Sequence, residues 1–480
     1  MTREVPGLHG DTRRRFLSLT GAAIAGSTCA TALGRDDSPP PDRDDLELGD
    51  VPIFCAHEHW GSINSVGTFP GGFRADIEAG ATPQRTTRLI DLLLDPYLGG
   101  WLSAEGHVPD ELARRGGAPN ILSLAEESSA RAMQVLRPAL DGQRLTGAYQ
   151  CIRRGIELLH GVDIDNTDAS AIDALDAAIG RRYQRMFGWY REAMDHARLT
   201  RLVRPVHPEF YYQEASAASA AEERTFTGTL MRIDPLLELG PTQCPRRETL
   251  AAFVGIEPRD AGSWREFIGR LFDRIAAQGA LGIKQAQAYR RGLDFRPRRD
   301  DEVKWSGDRS PAELVVWEDW IVHECCRQAH DRQWPHQIHV GTTNLAASSP
   351  LPLDALALQY PQMRMVFIHC WPFFDESAWI AKHRPNVYLD TCWLPILNPV
   401  FFQRALTTWL PYVPEGKITC SNDATSVEMA AGSSRFTREI LGRVLQEHRG
   451  SLGIDVACCQ RTAANLLHHN AARLYGSADQ

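Results

Sequence analysis

The chain has 480 residues, with 52 Lys and Arg against 60 Asp and Glu, for a formal net charge of −8. That balance argues against a nucleic-acid-binding surface, and no run of about 20 apolar residues marks a membrane span in the body of the chain. A hydrophobic fraction of 43% is that of a globular protein, and the length suits one α/β barrel carrying insertions.

The N-terminal segment stands apart. Arg13, Arg14 and Arg15 precede Phe16 and Leu17, an Ala- and Gly-rich stretch follows, and Ala30 to Ala32 supplies small residues suited to cleavage. The pattern is that of a twin-arginine export signal over residues 1–32. The export machinery is therefore an expected partner, and the periplasm or the extracellular space the expected location. Cys29 opens a lipoprotein alternative, but Gly26, Ser27 and Thr28 are a poor acylation context. Residues 33–50, including "DDSPPPDRDD", read as a disordered linker. Of the eleven cysteines, Cys55, Cys370, Cys392 and Cys420 lie in or beside apolar runs, as buried thiols do, and no Cys-x-x-Cys pair exists.

From Val51 onward, short apolar runs alternate with helical patterns. The runs are Val51 to His59, Arg201 to Val206, Phe226 to Leu237, Ala280 to Tyr289, His336 to Gly341, Met363 to Cys370, Asn386 to Trp393 and Lys417 to Ala424. Eight strands alternating with helices predict a (β/α)8 TIM barrel over residues 51–480. The spacing is uneven. Residues 60–198 are dominated by helical patterns such as "LSLAEESSARAMQVLRPAL" and form a large insertion after strand 1. A first βα loop lies on the catalytic face of a barrel, so this insertion reads either as a cap over the site or as a separate helical domain.

Polar residues recur at the ends of these runs. "VPIFCAHEHW" ends strand 1 with His57 and His59, which alternation places on one face, with Glu58 on the other as a structural salt-bridging group. Strand 3 brings Arg232 and Asp234, strand 4 Lys284, strand 5 His339, strand 6 His369, strand 7 Asp390 and strand 8 Asp423. In a barrel these ends converge on one axis. Each histidine alone fits a hydrogen-bonded structural role; the set together fits a divalent metal site. Arg232, Tyr289 and Arg290 share the rim and read as binding an anionic or polar substrate group, or as structural. Asp390 reads as an acceptor orienting a ligand histidine. Trp371, Phe373 and Phe374 read as a pocket wall or as loop packing. "HECCRQAH", His323 to His330, has soft-metal residue types on a helix but no tidy ligand geometry.

The motifs "AHEHW", "MRIDPLL", "GALGIKQAQAYRRGLDF", "QIHVG", "FIHC", "NVYLD", "CSNDA" and "NAARLYG" resemble the amidohydrolase superfamily, in its amidohydrolase-related (amidohydrolase 2) branch with FluG-type barrels. The likeness runs over about residues 51 to 476 and is strongest from 224 onward. "CSNDA" departs from the branch's serine-rich form but keeps the aspartate, and there is no room for a glutamine-synthetase-like domain. The resemblance implies that His57, His59 and Asp423 hold one metal, zinc first with manganese or iron as alternatives. It implies two versions of the site. In one, a carbamylated Lys284 bridges to a second ion held by His339 and His369. In the other, one ion is bound with His339 completing its site, Lys284 anchors substrate and His369 is an acid/base residue or an electrophile. The implied activity is hydrolysis of a C–N or C–O bond (amide, ester or lactone) of a small molecule by a metal-activated hydroxide, with Asp423 and His369 catalytic. The alternatives are a one-metal decarboxylase or lyase, and a non-catalytic binding barrel. A homo-oligomer is compatible with either enzyme.

Overall fold

The computed structural model describes residues 46–61, 87–95, 97–98, 121–211, 217–240 and 244–476. The export signal and most of the linker lie outside these residues. The end of the linker does not: Leu48 is buried in the apolar core, and Leu46 N–H faces Gln446 Oε1 at 3.5 Å. Chain order thus becomes fixed a few residues before the linker was expected to end.

Eight strands form one parallel sheet in chain order: β1 (Ile53–Cys55), β2 (Leu199–Val206), β3 (Thr227–Arg232), β4 (Ala280–Gln285), β5 (Pro335–Val340), β6 (Arg364–His369), β7 (Val387–Asp390) and β8 (Ile418–Thr419). Each predicted apolar run supplies one strand. Most strands are shorter than their runs, while β2 starts two residues ahead of its run; Arg232, Lys284, His339, His369 and Asp390 stay in the ladder at the strand ends, whereas His57, His59 and Asp423 lie in the loops beyond β1 and β8. Past β1 and β8, Asp423 N–H donates to His57 O (2.9 Å) and His59 N–H donates to Ala424 O (2.9 Å), so the first and last runs meet beyond the C-terminal ends of their strands.

Two apolar cores flank the sheet. The smaller lies inside the curl: Phe54, Val203, Leu230, Val366 and Ile368 pack with Leu474 and Tyr475 of the C-terminal helix Asn470–Tyr475, which plugs the end opposite the site. The larger lies between the strands and the surrounding helices and includes Ile53, Met231, Ile283, Ile338 and Phe367. Parallel strands covered on both faces read as near-continuous apolar runs, which is why periodicity within each run is weak.

The described part of the insertion is helical: Leu89–Leu93, Ile121–Glu127, Ser129–Gln143, Gly147–His160, Ala169–Tyr183 and Met186–Ala197. Helix Gly147–His160 crosses the long helix Val427–Leu452 at close range. A Cβ on Gly155 would fall 1.7 Å from Glu428 O, and one on Gly432 1.8 Å from Cys151 O, so only glycine permits this crossing. Buried Glu428 then accepts from Tyr183 Oη (2.7 Å) and contacts His160 Nε2 (3.2 Å). These helices lean on the flank of the sheet; from the described insertion only Tyr97 enters the cavity at the strand ends.

Candidate metal centre

The strand ends enclose a cavity of about 510 Å³ lined by His57, His59, Lys284, His339, His369 and Asp423, with Arg232, Tyr289 and Arg290 at its rim. All six of the expected ligand residues and all three expected substrate contacts therefore face one space. A wider groove of about 690 Å³ lies between Leu46–Gly49 and helix Val427–Leu452 and is lined by Arg435, Arg438, Glu439 and Arg443, with Arg435 Nε on Glu439 Oε1 at 3.1 Å. The ligand set is in the smaller cavity.

Alternation explains most of this convergence. On β5, Ile338 and Val340 enter the outer core, which leaves Gln337 and His339 pointing inward. Two positions break the rule. On β1, Phe54 and Ala56 face inward, so His57 would point out, but the chain bends at Ala56 and both histidines turn into the cavity together. On β6, Val366 and Ile368 face inward, and His369 follows only because the backbone leaves the extended region, with φ 69° at His369 and 64° at Cys370. Asp423 (φ 64°), Trp393 (φ 69°) and Thr342 (φ 62°) are left-handed as well. Five non-glycine residues in this costly region, all beside one cavity, mark strain held at a functional site.

Hydrogen bonds from behind fix which imidazole nitrogens are bare. Gln337 Nε2 lies 2.7 Å from Ala56 O, a carbonyl that can only accept, so Gln337 Oε1 faces His57 Nδ1 at 2.6 Å and that nitrogen carries the hydrogen. His57 Nε2 is then a lone pair, 3.6 Å from Asp423 Oδ1. His59 Nε2 lies 2.8 Å from the same oxygen. His369 Nδ1 donates to Cys392 O at 2.9 Å, which leaves its Nε2 bare, 3.1 Å from His339 Nδ1. His339 Nε2 meets Thr342 Oγ1 at 2.8 Å.

Burial keeps these rings neutral. It holds His57, His59 and His339 well below the ordinary histidine range and His369 down to about 4, with the charge of Lys284 adding to the effect at each. Neutral imidazole is the form that binds metal. Bare nitrogens, a carboxylate and burial together fit a divalent cation: His57, His59 and Asp423 form one group with ligand atoms within 4.8 Å of one another. His369, Cys392 and Asp423 form a second such group, although His369 Nδ1 is already committed to a carbonyl. Lys284 is buried, and burial lowers its ammonium to about 8.

Several expectations are corrected. Glu58 does lie opposite the histidines, but among the described residues it makes no salt bridge. It is fully buried, accepts from Cys55 Sγ (3.1 Å), Asn422 Nδ2 (3.0 Å) and Ala424 N–H (2.8 Å), and burial pushes its carboxyl up to about 8. It ties the β1 end to the loop carrying Asp423. Asp390 orients no histidine: it accepts from Thr419 Oγ1 (2.7 Å), Ser421 Oγ (2.8 Å) and Cys392 N–H (2.8 Å), joining β7 to β8. Trp371 stacks on Phe401 and Phe374 packs edge-on to Trp409, so these aromatics pack loops rather than line the cavity. His323 and His330 make separate contacts, with Tyr360 Oη and Gln362 N–H, and form no ligand group with Cys325 and Cys326. The four cysteines expected to be buried thiols are free and buried.

Other residues at the site were not read from the sequence. Tyr97 Oη donates to Asp423 Oδ1 (3.3 Å), and its ring lies 5.1 Å from that of Trp393. Arg232 Nε meets Asp234 Oδ2 at 3.2 Å, and Glu238 bridges Arg246 (2.8 Å) and Arg290 (2.5 Å) at the mouth. Gln337 had a signal: a glutamine inside an apolar strand, two residues before a site histidine and on its face. Tyr97 had none, because it sits far from the strand ends in sequence.

Comparison with known proteins agrees with the motif-level likeness. The amidohydrolase family (Amidohydro_2) matches residues 271–477. Protein fluG of Emericella nidulans is 27% identical over 240 residues, 45% of this chain and 28% of that protein, so this chain spans little more than a quarter of its relative. Among solved structures, a proposed metal-dependent hydrolase from Lactobacillus casei superposes with a TM-score of 0.57 at 19% identity, covering 90% of this chain and 97% of the other. Glucuronate isomerase from Caulobacter crescentus gives 0.68 at 17% identity, covering 90% and 92%. At these identities the structural likeness establishes the fold alone, a TIM barrel.

Proposed function

We propose that this chain, whose residues 271–477 match the amidohydrolase family, is an exported metal-dependent hydrolase acting on an amide, ester or lactone of a small molecule. The observation that carries the reading is the convergence of His57 Nε2, His59 Nε2 and Asp423 Oδ1 in a buried cavity, with the tautomer of His57 set from behind. A divalent ion there supplies Lewis acidity toward a carbonyl and lowers the pKa of water; zinc suits two imidazoles and a carboxylate, as do manganese and iron.

The chain's own residues do the rest. Asp423 takes a proton from the attacking water and returns it to the leaving group. Tyr97, hydrogen-bonded to Asp423 Oδ1, holds that carboxylate toward the cavity. Arg232, Tyr289 and Arg290 at the rim engage an anionic or polar part of the substrate. Lys284, with its ammonium weakened by burial, is suited to react with carbon dioxide, its amine nitrogen bonding to the carbon with loss of a proton, to give an anionic carbamate beside His339 and His369.

One observation favours a one-metal alternative. Among the described residues, the pair His339–His369 meets a carboxylate only through His369 Nδ1, 3.7 Å from Asp423 Oδ2, on the nitrogen turned away from His339. With an unmodified Lys284 as substrate anchor, the same barrel suits a decarboxylase, a lyase or an isomerase. The test is turnover by metal-loaded protein on a panel of amides, esters, lactones, a β-keto acid and a uronate. Hydrolysis of the first three supports the proposal; carbon dioxide release or isomerisation with no hydrolysis overturns it. The twin-arginine segment supports export, checked by periplasmic fractionation of wild type against Arg13→Lys/Arg14→Lys.

A further inference from the structure

The C-terminal helix and the centre of the barrel are joined to the site by one hydrogen-bonded chain. Gln337 is fully buried inside the curl on β5. Its Oε1 accepts from His57 Nδ1 (2.6 Å), and its Nε2 donates to both Ala56 O (2.7 Å) and Tyr475 Oη (2.9 Å). Tyr475 is itself buried, on the helix that plugs the barrel. All three hydrogen-bonding atoms that Gln337 presents to the protein are therefore answered, and the Ala56 carbonyl prevents the amide from flipping.

We propose that Gln337 is a positioning residue for the metal site, with Tyr475 as its support: together they lock His57 as the Nδ1–H tautomer and aim its Nε2 at Asp423. The inference rests on the metal reading above. Ligand histidines elsewhere are held by a carboxylate, carbonyl or water on the second ring nitrogen, and losing that partner typically costs about 10–100-fold in metal affinity. Here a neutral amide does the task. A carboxylate at this depth would need a compensating charge, whereas glutamine orients the ring and satisfies the Ala56 carbonyl in the same step. The consequence is directional: a change on the barrel's far end, at Tyr475, reaches the metal through Gln337 without touching the cavity.

The test uses the full chain, Zn²⁺ titrated against a chromogenic chelator, and ¹⁵N shifts of the His57 ring in the metal-free protein. Gln337→Leu is expected to lower Zn²⁺ affinity about 10–100-fold and to mix the His57 tautomers. Gln337→Glu, whose buried carboxyl in its protonated form donates to Ala56 O and still accepts from Nδ1–H, is expected to recover most of the affinity, and a merely structural role would not give this rescue. Tyr475→Phe leaves the Ala56 contact in place and is expected to cost only a few-fold; it decides the matter if Gln337→Leu does not fold. Wild-type protein that binds no Zn²⁺ overturns the metal reading and this inference with it. Wild-type protein that binds Zn²⁺, with unchanged affinity and tautomer in Gln337→Leu, or in Tyr475→Phe where Gln337→Leu does not fold, overturns the inference alone.

Discussion

The two halves of the cavity are built differently. On one side, His57, His59 and Asp423 come from β1 and β8, share one oxygen as a focus, and include their own negative charge. On the other, His339 and His369 come from β5 and β6 and present two nitrogens to each other at 3.1 Å, with Lys284 as the charged neighbour. The first group has the donors and the charge that a cation site needs. The second has donors but lacks a neutralising anion on the facing nitrogens, and a cationic lysine would repel a metal ion. The difference teaches that the number of metals depends on the chemical state of Lys284 more than on the histidines.

The largest expected effect falls on the first group. Asp423→Asn keeps an oxygen but loses the proton acceptor, and turnover is expected to fall by about 10²–10⁴-fold, read as kcat on the best substrate of the panel; activity near wild type would falsify the acid/base assignment. Metal content separates the two halves next. His57→Ala is expected to lose the ion of the first group, whereas His369→Ala keeps it, as measured by elemental analysis of dialysed protein. Equal loss in both variants would mean that the cavity binds a cation only as a unit. Lys284→Met sharpens the same contrast: in the two-metal version it removes the second equivalent, and bicarbonate raises the metal content of wild type but not of the variant. A count near one in both, with no bicarbonate effect, selects the one-metal version.

Acid sensitivity is a smaller effect, carried by the second half and by the strand beneath it. His369 is held down to about 4, and His336, on the outer face of β5, down to about 3, in each case first by burial. In the unfolded chain a histidine takes up its proton near pH 6.5. Between that pH and the lowered native value the unfolded state binds more protons, so stability falls as pH drops from about 6.5 toward 4 and is restored as pH rises. The slope is about 1.4 kcal/mol per pH unit for each proton so linked. Urea unfolding of metal-free protein at stepped pH should show it, with a shallower slope for His369→Gln. The smallest effect is Tyr97→Phe, which removes one hydrogen bond to Asp423 and should lower kcat about 2–10-fold, the worth of a single such bond.

Legibility in the sequence followed the strands. All eight were visible because a parallel barrel strand is apolar on both faces, and its polar end is conspicuous against that run. "AHEHW", "QIHVG", "FIHC" and "CSNDA" singled out His57, His59, His339, His369 and Asp423 for that reason, and all five line the one cavity. Glu58 and Asp390 were harder. Both are buried carboxylates, and sequence does not tell whether a carboxylate is answered by a cation or by hydroxyl and amide hydrogens. Tyr97 and Tyr475 were out of reach altogether, since each arrives from an element with no pattern pointing toward the strand ends.

The sequence by itself determined the strand count, their order and the ligand types, because hydrophobic burial is written locally, residue by residue. Only the tertiary structure decided which way the ligands point. Alternation alone would turn His57 and His369 away from the lumen; the bend at Ala56 and the left-handed backbone at His369 turn them inward. It also decided which nitrogen of each ring is bare, because that depends on Gln337 and the Cys392 carbonyl. Those partners lie 280 and 23 residues away along the chain and meet the rings only once the barrel has closed.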